Sequence, residues 1–184
     1  MSALCPELRM NEISAAVAEA GVAALGRVDA ALAEFPDDAR LLFLRGSLLV
    51  ELDRNGEAHD ALVKAVAAAP DFALARFQLG FFQLTSGEAD AALETWGRLD
   101  RLPDGHYLRR FVDGLRALIR DDFAGAIAAI EDGMGLNIDN PALNANMAML
   151  ADQCRKELSG TGEPPATSEA EFLLRQSRGR HNSH

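Results

Sequence analysis

Aromatic residues are scarce in this chain of 184 residues: nine Phe, one Trp and one Tyr make up 6%. A chain so poor in Tyr and Trp, with Ala and Leu dominating, points to closely packed helices. Cysteine is nearly absent, and Cys5 and Cys154 belong to no C-x-x-C pair, which excludes a disulfide scaffold and suits a reduced, cytoplasmic setting. Fifteen Gly and seven Pro are too few for a low-complexity chain. No apolar run approaches the ~18 residues of a membrane span, the longest being residues 65–70. Residues 1–11 lack the basic start and apolar stretch of a secretory signal. Lysine is rare too, with two Lys against 16 Arg. Basic residues as a whole are outnumbered, 18 against 28 acidic, and the net charge is −10 with a pI near 4.8. That balance disfavours nucleic acid or anionic lipid as the main partner and implies a partner of some basic and apolar character.

What is present is a period. In rows of 34 residues, Gly46, Gly80 and Gly114 align, as do Ala24, Ala58, Ala92 and Ala126. So do the bulky residues Val28, Leu62, Trp96 and Ile130, the pair Pro36 and Pro70, and Phe43, Phe77 and Phe111. Five columns in one frame mark an internal repeat.

Each row reads as two helices. An apolar-periodic stretch from about Phe72 to Leu84 is broken at Thr85-Ser86-Gly87-Glu88 and resumes from Ala91 to Leu102, before Pro103. Gly87 fits the left-handed position that ends a helix, and Pro103 cannot continue one. The turns at Leu52-Asp53-Arg54-Asn55-Gly56 and Arg120-Asp121-Asp122-Phe123 are equivalent. Where two antiparallel helices cross, a side chain beyond a methyl would hold the backbones apart, which accounts for the Gly and Ala columns. The bulky column fills the space beside that contact.

These residues resemble the tetratricopeptide repeat, a 34-residue helix-turn-helix unit with small residues at both crossing sites and a terminal proline. The resemblance implies an all-α, right-handed superhelical stack. Its divisions are a degenerate first repeat at 5–38, with Glu12 in place of the column glycine, then repeats at 39–72, 73–106 and 107–140. A capping helix follows at 141–158 and a flexible tail at 159–184, Gly/Ser/Pro-rich at its start. It further implies a non-catalytic adaptor or scaffold that binds a peptide or amphipathic helix. The alternatives are a chaperone masking an apolar segment of a client such as a secreted protein, and a noncatalytic subunit of an enzyme complex.

No catalytic set stands out, and no cofactor or metal is expected. His59 reads as a helix residue, His106 as a cap or loop residue, and His181 and His184 as tail residues, none with Cys, Asp or Glu at ligand spacing. Asp37-Asp38 and Asp121-Asp122 precede helices and read as caps. The candidate groove lies on the first helices: Phe43, Ser47 and Val50; Phe77, Phe81 and Leu84; Phe111, Leu115 and Leu118. The Phe column is alternatively core packing between units. The occupant is a protein or peptide, or the chain's own tail through Phe172, Leu173 and Leu174. The heat-shock clamp of Lys, Arg and Asn found in one subclass of the family is not reproduced, since Phe43, Ser47, Gln78 and Leu108 stand at its phases.

Overall fold

The computed structural model describes residues 4–18 and 22–160, and among them there are nine α-helices and no strand. The helices are α1 (Glu7–Ala18), α2 (Val22–Glu34), α3 (Ala39–Glu51), α4 (Asn55–Ala68), α5 (Ala73–Thr85), α6 (Ala89–Trp96), α7 (Tyr107–Ile119), α8 (Phe123–Leu136) and α9 (Pro141–Leu158). A 3-10 helix, Gly97–Arg101, continues α6. Helices α3, α5 and α7 begin at 39, 73 and 107 and end at 51, 85 and 119, while α4, α6 and α8 begin at 55, 89 and 123. Every one of these steps is 34 residues, the period of the sequence columns. The expectations for residues 161–184, including a tail laid in the groove by Phe172, Leu173 and Leu174, lie outside the described residues.

The helices end where backbone conformation requires it. After α3, α5 and α7 the chain takes a left-handed residue at Asp53 (φ +55°), Gly87 (φ +86°) and Asp121 (φ +57°), again 34 apart. Each turn closes in the same way: the left-handed residue donates to Val50, Leu84 or Leu118, and the next residue reaches back to Leu49, Gln83 or Ala117. This is the Schellman arrangement, which satisfies carbonyls that a helix end leaves unpaired. Asp121 is therefore a turn residue, and of the two acidic pairs it is Asp38 and Asp122 that cap, accepting from the Arg40 and Gly125 N–H groups. His106 does the same for α7, its Nδ1 accepting from Leu108 N at 3.2 Å.

The chain divides at Leu79 and Gly80, inside α5, into two compact units. In the first, α2 packs on α3 and α3 on α4. Gly46 lies beneath Leu62, where an added Cβ would stand 2.7 Å from the leucine Cγ. A cluster of Leu42, Ala65 and Ala75, flanked by Leu32, Phe43, Val66 and Phe72, fills the space beside it.

In the second unit the same contact recurs twice. A Cβ on Gly80 would meet the Trp96 indole at 2.2 Å, and one on Gly114 would meet Ile130 at 2.8 Å and the Ala126 carbonyl at 3.1 Å. The column glycine thus sits directly under the column bulky residue, and the bulky set Val28, Leu62, Trp96 and Ile130 is fully buried. Helix α8 packs on α7 and on α9. The turn into α9 is held by asparagines: buried Asn137 donates to Asn140 O and Asn144 Oδ1, and Asn140 caps α9 through Leu143 N.

One helix departs from the expected span. The stretch expected to reach Leu102 as a single α-helix becomes 3-10 after Trp96. This row has one residue fewer before its proline, Pro103 rather than 104. The 3-10 rise restores the length: about 22 Å for 89–101 against about 21 Å for the 14 residues of α4.

Candidate functional site

The nine residues expected to line a groove fall into two sets. Phe77, Leu84, Phe111, Leu115 and Leu118 are buried, so they present no surface to a partner. The Phe111 ring lies over Gly133, 2.5 Å from where a Cβ would be, and edge-on to Tyr107 at 5.8 Å. Phe43, Ser47, Val50 and Phe81 are half-buried. Phe43 leans on Phe72 with ring centroids 5.3 Å apart. The Ser47 hydroxyl donates to the Phe43 carbonyl at 3.1 Å.

The reason for the correction is rotational. In α7 the stripe flanks the glycine that meets α8, so Phe111 turns onto Gly133 of that second helix, whereas on α3 Phe43, Ser47 and Val50 all stay half-buried. The half-open stripe on α3 is Arg40, Leu44, Ser47 and Glu51, turned by roughly 60° about the helix axis. The same phase in α5 holds half-buried Leu74, Gln78 and Phe81 and buried Thr85, and in α7 it holds buried Leu108, Val112 and Leu115. Sequence periodicity finds an apolar helix face but does not tell a face packed on a neighbour from one left open. Arg40, Leu44 and Glu51 were thereby missed; the signal that finds them is their offset from the column glycine.

Arg40 anchors this face. Its guanidinium donates to both Asp38 oxygens, at 3.1 and 2.8 Å, to Cys5 O at 2.8 Å, and to Glu7. Asp38 also accepts from Cys5 N at 2.8 Å, so both backbone groups of Cys5 are held and the segment before α1 is tied to the start of α3. Burial pushes the Asp38 carboxyl up, but the bonds from Arg40 and from the two backbone N–H groups outweigh it and hold it below the ordinary carboxylate value. Arg40 is correspondingly raised, chiefly by its bond to Asp38.

The thiols are buried, and burial pushes Cys154 up to about 11, which leaves it without thiolate character near neutral pH. Among the described residues no three His, Cys, Asp or Glu side chains are grouped to hold a metal, and no helix is long and apolar enough to cross a membrane. The half-open face of α3 is mixed in character: the Arg40 guanidinium is bound to Asp38, Cys5 and Glu7, the Ser47 hydroxyl to the Phe43 carbonyl, and Leu44 is apolar. Compared with known proteins, the chain matches no family model and no curated protein, so the resemblance to tetratricopeptide repeats rests on the columns and the contacts they make.

Proposed function

We propose that the chain is a non-catalytic interaction module: a right-handed superhelical stack of tetratricopeptide-like helix pairs, closed by α9, that binds a peptide or amphipathic helix. The observation that carries the reading is the recurrence of one crossing, Gly46 under Leu62, Gly80 under Trp96 and Gly114 under Ile130, on helices that restart every 34 residues. On α3 the half-open face that a ligand would meet is Arg40, Leu44, Ser47 and Glu51, whereas the same phase of α7, Leu108, Val112 and Leu115, is buried.

A panel of amphipathic helical peptides, titrated against the intact protein, tests this. One or more should bind, and Leu44→Glu with Ser47→Lys, in a chain of unchanged helicity, should weaken that binding by at least about tenfold. Unchanged binding by the double variant contradicts the α3 assignment, and a panel that is not bound at all contradicts the module. Binding restricted to wholly apolar peptides points instead to a chaperone that masks such segments.

A further inference from the structure

Of the seven asparagines in the chain, Asn55 alone is followed by glycine. The pair stands where the turn out of α3 becomes α4: Arg54 is the cap, and Asn55 and Gly56 are the first two helical residues. Both are exposed, and a Cβ built on Gly56 would meet nothing within 4 Å.

The two groups that could react are both uncommitted. A helix start leaves its first N–H groups without intrahelical acceptors, and Arg54 supplies no side-chain cap to replace them. The first helical bond of α4 runs from Ala58 N to Arg54 O at 2.9 Å, so the Gly56 nitrogen lies ahead of the ladder. The Asn55 carboxamide makes no hydrogen bond among the described residues. By contrast, the carboxamides of Asn137, Asn140 and Asn144 are all engaged around the turn into α9.

We propose that Asn55 is a site of spontaneous modification, in which the Gly56 nitrogen displaces the side-chain amide. That nitrogen gives up its proton to water and bonds to Asn55 Cγ; the Cγ–Nδ2 bond breaks and ammonia leaves. Water then opens the cyclic imide at either carbonyl, giving aspartate or isoaspartate, with no oxidant or reductant involved. Glycine permits the attack because no side chain crowds its nitrogen and its backbone turns freely. Ring closure rotates Asn55 about its Cα–C bond, away from the helical value, at the expense of the Ala58 N to Arg54 O bond. The fork of Arg54 on Glu57, both prongs at 2.7 Å, resists that rotation, but an exposed ion pair holds only weakly. Aspartate at the start of α4 suits the positive helix end. Isoaspartate adds a carbon to the backbone at the entry of the helix whose Leu62 covers Gly46. The site is independent of the α3 face.

Peptide mapping of the full chain, before and after weeks in mildly alkaline buffer, is the test, with fragmentation that tells isoaspartate from aspartate. Asn55 should convert at least about tenfold faster than Asn11 and Asn146, which are equally exposed but precede glutamate and methionine. Gly56→Ala, whose methyl enters open space and leaves the fold intact, should slow conversion at Asn55 by about tenfold. Conversion at Asn55 no faster than at Asn11 and Asn146, or a rate unmoved by Gly56→Ala, would overturn the proposal.

Discussion

At the scale of single residues, Asp38 concentrates the most structure in one side chain. It caps α3, holds Cys5 and faces Arg40, all while fully buried. A carboxylate depressed in this way stabilises the fold above the ordinary carboxylate range, and that stability is lost as pH falls through its folded-state value. Asp38→Asn should therefore cost about 1–3 kcal/mol at pH 7. The gap between variant and parent should begin to narrow below about pH 4, where the carboxyl of the unfolded chain takes up its proton, and go on narrowing as pH falls through the lower folded-state value. Urea denaturation at pH 7 and pH 3 checks both parts, and a gap constant with pH would refute the charged role. The sequence shows an Asp before a helix but not its half-buried guanidinium partner, because Arg40 lies on the helix itself and Cys5 lies 33 positions away. The arginine excess gains a physical account here as well. Arg9 on Glu34, Arg54 on Glu57 and Arg116 on Asp100 each use both prongs of the fork, which lysine lacks.

At the scale of elements, helix bounds follow from turns. The left-handed column Asp53, Gly87 and Asp121 costs an L-residue about 1 kcal/mol and glycine almost nothing. Gly87→Ala should lower stability by about 1 kcal/mol, and Asp121→Gly should raise it by up to about 1 kcal/mol. Thermal melts of the two variants moving in the same direction would contradict the assignment. Only the glycine of this column was legible as a left-handed residue; the two Asp are the same position in a different amino acid. The groove was legible as a set of helices but not as a set of side chains. Phe111 and Phe77 have the spacing of an open stripe, yet they turn inward because the adjacent column glycine sets the direction of the second helix. The 3-10 helix was invisible for another reason, since a one-residue deficit before Pro103 is absorbed by backbone rise and not by any residue preference.

At the scale of the whole molecule, the scarce aromatics and abundant alanine belong to one design, in which small residues let helices approach and a few large ones fill the contact. Trp96, the single tryptophan, is spent on a crossing and is fully buried. The net charge is likewise not a uniform property: residues 97–120 carry a net +3 and the remainder of the chain −13. The columns were readable because crossing geometry tolerates so few residue types, whereas solvent-facing positions are free to vary and leave no period. The most direct test of the crossing account is one substitution made at five glycines and followed by thermal denaturation. Gly46→Ala, Gly80→Ala and Gly114→Ala should each lose about 1–3 kcal/mol, because a methyl has no room beneath Leu62, Trp96 or Ile130. Gly26→Ala and Gly135→Ala, in helices with open space around the added methyl, should gain up to about 1 kcal/mol. Opposite signs for the two sets are the predicted result; equal shifts across all five would contradict the account.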